Sequence, residues 1–328
     1  MKNTCAKLDY PDFINYVREH IIDYIGGRLQ KTEIVRVEIA PMMKNNETVT
    51  DALQIYEKGP RKCPMISLDD FYDEYCMGEE LPEIMQSIAK TYENSREQEY
   101  FITPEELACF ERMKHQIVIR LVSLEKNSHL LEVCPYRIFI DMAMTYRVLS
   151  GKTAGGISTV LVTQSMMEGW GITEPVLYEL ALENSVRLFP PRFKNMTMLI
   201  SEMQNRNNEN DSISNDICEE SCYDGSLFVG TNDCGINGAS ILCYPDVFKD
   251  FAEKAGSDFY ILPSSIHEVI LLSVKANISP DTLASMVSGA NRNMIAKDEY
   301  LSDSIYHYSA REGKIEKYSG QMYRKLLQ

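Results

Sequence analysis

The sequence predicts an α+β fold, in which helices pack on one face of antiparallel sheet, and it argues against a doubly wound parallel sheet. Apolar and polar residues alternate over short stretches such as Val35 to Ile39, which is typical of half-buried strands. Other stretches repeat apolar residues at helical spacing, as Ile84, Met85 and Ile88 do. These segments follow one another as helices and strand pairs without regular βαβ spacing, so an antiparallel arrangement is favoured.

The first hundred residues read as a helix followed by a small antiparallel sheet. A helix behind Pro11 ends at Gly26 and Gly27. The further predicted elements are strands at 34–39, 52–56 and 64–68 and a helix at 81–92. The polar run 93–99 then places a domain boundary near residue 100, which gives a unit 1–100 and a main α+β domain 101–328.

The main domain is predicted to begin with a helix that opens at 103–106, followed by a strand at 116–123 and a second, long strand at 136–149. We expect a loop at 151–156, a helix from Ser158 or Thr159 to Met167, and another helix after Thr173. The polar segment near 205–225 reads as a long mobile loop. The remaining predicted elements are a strand pair at 259–262 and 269–274, a helix after Ser279, and a closing hairpin around 311–313.

Composition and charge exclude several classes of protein. There are 33 Lys+Arg against 48 Asp+Glu, a net charge of −15, which argues against a surface that follows nucleic-acid phosphates. No apolar run approaches the ~18 residues that span a bilayer, and the N-terminal segment 1–13 has no signal-peptide pattern. Nine cysteines, an odd number, show no disulfide framework. These features predict a soluble cytoplasmic protein.

The sharpest local feature is the segment Pro263-Ser264-Ser265-Ile266-His267-Glu268 between two apolar strands. A serine hydroxyl beside a histidine can act as a nucleophile when a carboxylate orients the ring, and Asp258 or Glu268 could supply that carboxylate. No Gly-x-Ser-x-Gly pattern surrounds either serine. The alternative interpretation is a tight hairpin in which the proline and serines form the turn.

Two weaker motifs suggest a metal or a phosphate. Cys218, Cys222 and Cys234, with Cys243, place four thiols close together, but only the first two approach the spacing of a zinc knuckle. The segment 151–156 contains Gly-Lys-Thr, but Tyr146 stands where a phosphate loop needs its first glycine. We therefore expect neither a metal nor a cofactor, with the three cysteines as the weak alternative.

Four blocks of the sequence, 120–131, 170–185, 238–245 and 260–272, match a known pattern. They resemble a family of bacterial proteins of unknown function, found mainly in anaerobic gut-type bacteria, and the resemblance covers about residues 10 to 310. The family has no assigned activity, so the resemblance implies a bacterial protein without naming catalytic residues. It implies that any functional site lies in the segment that begins at Trp170 or in Pro263 to Glu268.

The sequence thus favours a binding or regulatory protein without catalysis, whose partner is an unknown protein or small molecule. No nucleic-acid or membrane partner is expected, and the oligomeric state stays open. The alternative is a hydrolase or transferase that uses Ser264 or Ser265 with His267. The candidate site residues are Pro263, Ser264, Ser265, His267, Glu268 and Trp170.

Overall fold

The computed structural model describes residues 7–26, 34–58, 63–97, 102–153, 156–205, 226–263 and 265–318. The chain divides into two compact units, residues 1–101 and 102–328. Helices combine with three sheets, and every strand pair in the described ranges is antiparallel. The predicted α+β class is therefore confirmed.

The first unit packs three helices on a three-stranded sheet. Its helices are α1 (Tyr10–Tyr24), α2 (Asp69–Met77) and α3 (Leu81–Glu97), and its strands β1 (Ile34–Met43), β2 (Val49–Glu57) and β3 (Met65–Ser67) lie in that order. The Asp9 carboxylate accepts the N–H of Asp12 and so begins α1. Phe13, Val17 and Ile21 recur on one helical face and are fully buried.

The second unit begins with two short helices, α4 (Pro104–Leu107) and α5 (Phe110–Met113), and then forms a four-stranded sheet. Its strands are β4 (Ile117–Ser123), β5 (Tyr136–Phe139), β6 (Met142–Thr153) and β7 (Gly156–Leu161), with α6 (Ser128–Val133) between the first two. Strand β6 is central, because β4 pairs along one side and β5 and β7 pair along the other. Ile117, Ile119 and Leu121 point into the core of this unit.

The long strand predicted at 136–149 is wrong, because the chain reverses at Ile140 and Asp141. Phe139 pairs with Met142 across this two-residue turn, and Ile140 has φ 60. A two-residue turn leaves the alternation of apolar and polar residues unbroken, so the pattern hides the reversal. The Asp141 carboxylate fixes the turn by accepting hydrogen bonds from Ser304, Tyr306 and Lys317.

At the described residues 151–153 and 156–161, the loop predicted at 151–156 and the helix predicted from Ser158 or Thr159 are also wrong. Gly151 pairs with Ser158 and Thr153 pairs with Gly156, so these residues belong to the β6–β7 hairpin. Two strands in register satisfy the backbone here, and the small residues do not interrupt them. The next helix, α7 (Gln164–Gly169), begins after Thr163, whose Oγ1 accepts the N–H of Met166 at 3.2 Å.

A six-stranded sheet completes the second unit. Its strands are β8 (Pro191–Asn195), β9 (Leu227–Asn232), β10 (Phe259–Pro263), β11 (Val269–Ser273), β12 (Tyr306–Ser309) and β13 (Lys314–Lys317), in the order β13-β12-β10-β11-β9-β8. Of the remaining helices, α8 (Glu174–Leu188) packs on β4 and β6 of the four-stranded sheet, α9 (Met196–Asn205) contacts β8 and β9, and α11 (Pro280–Asn293) contacts β10. Helix α10 (Val247–Ala255) places Phe248 and Phe251 against Phe259 of β10. A 3₁₀ turn, Gly238–Cys243, follows β9.

Two further sequence predictions concern a loop and a membrane span. The loop predicted near 205–225 falls, beyond Asn205, on residues outside the described ranges. Across the described ranges, no helix combines the length and the apolar character that crossing a bilayer requires.

Candidate functional site

The predicted turn joins β10 to β11 and is held by hydrogen bonds among its own residues. The N–H of Ser265 donates to the carbonyl of Glu268 at 3.3 Å, and the N–H of His267 donates to Ser265 Oγ at 3.0 Å. Ser265 is buried. Pro263 is the last residue of β10, and Ser264 lies outside the described residues. The Ser265 hydroxyl therefore organises the turn.

The His267 ring is bonded on one side and faces a carboxylate on the other. Its Nδ1 accepts the backbone N–H of Asn237 at 3.1 Å, so the neutral ring carries its proton on Nε2. Nε2 lies 3.5 Å from Glu299 Oε1. Burial lowers the pKa of His267, and the negative charge of Glu299 opposes that shift only in part. The ring is thus held neutral as a hydrogen-bond acceptor for Asn237.

The nucleophile hypothesis requires a serine hydroxyl that donates to the imidazole. Ser265 Oγ instead accepts the backbone N–H of His267, while the ring nitrogen Nδ1 is occupied by Asn237. Within the described residues no side-chain bond joins Ser265 to His267. The hypothesis for Ser264 stays a prediction, because that residue is outside the described ranges.

Trp170 stands at the end of α7 and lines a groove of its own. Its Nε1 donates to the carbonyl of Leu107 at 2.9 Å, and its ring packs 5.8 Å from that of Phe110. The groove is open, has a volume of about 300 Å³ and is mostly apolar; its walls are Pro104, Leu107, Ala108, Ser165, Met166, Gly169 and Trp170. His267 is not among these residues, so Trp170 and the turn face different spaces.

Of the three cysteines considered for zinc, Cys234 alone lies within the described ranges. Its thiol is partly buried and lies 3.4 Å from Asp233 Oδ1. Cys218 and Cys222 lie outside those ranges. No group of three or more histidine, cysteine or acidic residues in the described part of the chain could hold a metal ion.

Two arginines lie side by side in the four-stranded sheet, on the face opposite Ile117, Ile119 and Leu121. Arg120 of β4 pairs with Thr145, and Arg147 of β6 pairs with Val118. The two arginines are therefore diagonal neighbours on one face, a spacing at which long side chains meet. Like charges in such positions repel each other unless something between them is negative.

Neither guanidinium has a carboxylate partner among the described residues. Arg147 Nε donates to Thr159 Oγ1 at 2.8 Å, and this is the one hydrogen bond that either side chain makes there. The Nε of Arg120 is buried without any acceptor. A guanidinium offers five N–H donors, so most of the donors of this pair bond no protein group among the described residues.

The surroundings disfavour both positive charges. Burial and, second, the nearby charge of Arg147 lower the pKa of Arg120 to about 9, although the charge of Asp298 offsets part of their effect. Burial also lowers the pKa of Arg147. Removing a charge from water without a partner is costly, and a buried pair of like charges is more so. A bound anion would remove this cost.

Both arginines line a small cavity, called the arginine cavity below. Its walls are Val118, Ile119, Arg120, Arg147, Ile157, Thr159, Phe189, Asn232, Ile236, Asn237, Ser240 and Tyr244. The centre of a water-sized sphere can move within about 10 Å³ of it, which is room for about one water molecule. Ser240 Oγ accepts the N–H of Leu121 at 3.3 Å, and its hydroxyl hydrogen has no acceptor among the described residues.

The cavity and the predicted turn meet at the loop that precedes the 3₁₀ turn. Asn237 lines the cavity in a left-handed conformation, with φ 53, and its N–H reaches His267. A Cβ on Gly238 would lie 2.0 Å from Thr231 Oγ1 and 2.4 Å from the His267 carbonyl oxygen. Glycine is therefore required where β9, the turn and the cavity wall come together.

Arg120 and Arg147 were not predicted as site residues from the sequence. A signal was present, because Arg120 interrupts the apolar run Ile117-Val-Ile-Arg-Leu-Val, whose other residues are all buried. A charged residue inside such a strand needs a partner. The second arginine is recognisable only once the register of β4 and β6 is known.

Comparisons with known proteins identify a family but no activity. No curated protein and no solved structure matches the chain. A family whose description is "Family of unknown function (DUF5688)" matches residues 10–310, which is most of the chain. By that match, the chain belongs to the DUF5688 family.

Proposed function

We propose that this chain is a non-catalytic binding protein whose ligand is a small anion held between Arg120 and Arg147. The observation that carries the proposal is the pair of adjacent guanidinium groups, of which Arg120 has a buried Nε without any acceptor. Both arginines line one small cavity. An anion that accepts from both groups would supply the missing hydrogen bonds and the missing charge.

The shape of the site supports a small-molecule partner in preference to nucleic acid. A surface for nucleic acid needs cations spread along a path that follows successive phosphates. Arg120 and Arg147 instead converge on a single narrow cavity whose other walls are uncharged. The net charge of −15 further disfavours contact with a polyanion.

We also place the protein in the bacterial cytoplasm as part of this proposal. The cysteines of the described ranges are all free: Cys63, Cys76, Cys109, Cys134, Cys234 and Cys243. Free thiols are typical of a reducing compartment. A bacterial source rests on the resemblance of the sequence blocks given above.

The proposal is tested by isothermal titration calorimetry on the full chain. The protein is dialysed into a zwitterionic buffer of low anion content and titrated with the sodium salts of chloride, nitrate, sulfate, phosphate and acetate. We expect at least one salt to bind, and Arg120→Met and Arg147→Met each to weaken that binding by at least tenfold, since each removes one of the two charged donors.

Arg192→Met is the matched control, because Arg192 is an exposed arginine of the same unit, on strand β8. It should bind the same anion with unchanged affinity. Absence of binding to the wild-type chain, or equal affinity in the Arg120 and Arg147 variants, would show that the cavity is not an anion site.

A further inference from the structure

The size of the arginine cavity restricts the ligand. The space between the walls admits about one water-sized sphere, whose centre moves within about 10 Å³. A tetrahedral oxyanion needs room for four oxygen atoms around its centre, and a carboxylate needs room for two oxygens and a carbon chain. Among these anions, a single-atom ion needs the least room.

The charge around the cavity also favours a small anion. Arg120 and Arg147 contribute two positive charges, and Asp298 lies near enough to Arg120 to offset one of them in part. Cys134, which lies near Arg147, stays a neutral thiol because burial raises its pKa to about 11. Beside the Phe189 wall, Lys152 and Asp233 pair with each other at 3.2 Å and add no net charge. The charge left for the ligand to match is therefore positive.

The lining offers hydrogen-bond donors to an anion. The guanidinium groups and the hydroxyl of Ser240 carry N–H or O–H hydrogens without an acceptor among the described residues. No carboxylate lines the cavity in the described part of the chain to repel an anion. A halide accepts hydrogen bonds and never donates, so it suits this lining.

From size, charge and donor chemistry together, we infer that the ligand is one monovalent anion of halide size, seated between the guanidinium groups of Arg120 and Arg147. Chloride is the halide that ordinary solutions supply. This inference rests on the proposed function, because it specifies the anion that the proposed site binds. A water molecule would fill the space but would leave the charges unmatched.

Bromide makes the inference directly testable, since it replaces chloride and scatters X-rays anomalously. Crystals of the full chain grown with sodium bromide should show an anomalous peak in contact with both guanidinium groups. Crystals of Arg147→Met grown in the same way should lack it. A wild-type map without the peak, or an equal peak in the variant, would overturn the inference.

Titration separates this inference from the proposed function. At constant ionic strength, chloride and bromide should bind the wild-type chain at least tenfold more tightly than sulfate, phosphate or acetate. If an oxyanion binds more tightly and depends on Arg120 and Arg147, the halide assignment is wrong and the proposed anion site stands. If none of these anions binds, both are wrong.

Discussion

The backbone N–H of Asn237 donates to Nδ1 of His267 at 3.1 Å, and this bond joins the turn between β10 and β11 to the wall of the arginine cavity. The bond exists only while Nδ1 is unprotonated, because a protonated imidazole has no acceptor. The ionisation of His267 is therefore coupled to the backbone that shapes the cavity.

We predict that His267 makes stability fall with acidity. Burial holds the pKa of His267 below its ordinary 6.5, so the stabilising contribution is fully present above pH 6.5 and is lost as the pH falls through the lower pKa of the folded state. His267→Asn supplies an acceptor that does not titrate and should flatten the decline in unfolding free energy between pH 7 and pH 5. Urea unfolding across that range measures it.

His129→Asn is the control for this prediction. The His129 side chain is exposed, at 71%, so its replacement should leave the pH profile of the wild type unchanged. A His267→Asn profile as steep as that of the wild type would show that another group causes the loss of stability.

Removing one arginine should not destabilise the chain when anions are scarce. Arg120→Met keeps the length of the side chain and removes a half-buried charge that has no ion-pair partner among the described residues. We expect the variant to be as stable as the wild type or more stable by up to about 2 kcal/mol in anion-poor buffer. Chemical denaturation measures the difference.

When a saturating anion is present, the wild type should become more stable than Arg120→Met, because only the wild type gains binding free energy. A loss of more than about 2 kcal/mol in anion-poor buffer would be the mark of a broken buried ion pair. That result would show that Arg120 has a protein partner and that its role is structural.

Gly238→Ala should be strongly destabilising. The added Cβ would fall 2.0 Å from Thr231 Oγ1 and 2.4 Å from the backbone oxygen of His267, so backbone must move. We expect a loss of about 2–4 kcal/mol, in the range of severe overpacking. Thermal and urea unfolding both report it.

Gly289→Ala provides the opposite case in the same unit. Gly289 lies inside α11, and nothing lies within 4 Å of the position that a Cβ would take. Alanine there should stabilise the chain by about 0.5–1 kcal/mol. Equal effects of the two substitutions would contradict the close approach described at Gly238.

The Glu174 carboxylate should contribute more to stability than a typical surface ion pair. It accepts two bonds from Arg137, at 3.1 and 2.8 Å, and a third from the hydroxyl of Tyr146. Solvent screens the pair, since the Arg137 side chain is 37% exposed. Glu174→Gln should therefore cost about 1–2 kcal/mol at neutral pH.

Acid should abolish that difference. Burial by itself would raise the pKa of Glu174, but the bonds from Arg137 and Tyr146 outweigh it and hold the pKa below 4.5. The contribution of Glu174 is thus present above pH 4.5 and is lost as the pH falls through the folded pKa. Glu111→Gln, which breaks the exposed pair with Lys114, should change stability by less than about 0.5 kcal/mol at any pH.

The spacing of apolar residues predicted the fold class, because burying one face of a helix or strand imposes that spacing directly. Phe13, Val17 and Ile21 show the helical period in the sequence and lie buried together in the structure. Reversals without a glycine or proline signal were missed. At Ile140 and Asp141 the tertiary bonds from Ser304, Tyr306 and Lys317 compensate for an unfavourable turn sequence, and no local pattern encodes those bonds.

The site was predicted only in part, for a similar reason. The turn at Pro263 to Glu268 is visible because polar residues separate two apolar strands. Arg120 and Arg147 lie 27 positions apart in the printed sequence and become neighbours only through the pairing of β4 with β6. Asn237 reaches His267 only because Gly238 permits the loop to approach the turn.

The thermal midpoint of unfolding, measured against anion concentration, tests the central claim most directly. Chloride or another small anion is raised at constant ionic strength, with gluconate as the balancing anion, for the wild type and for the double variant Arg120→Met/Arg147→Met. An anion that binds only the folded state stabilises it by about 2.7 kcal/mol at a hundred times its Kd. We predict that the midpoint rises with the small anion in the wild type and stays level in the double variant; parallel curves for the two proteins would contradict the anion site.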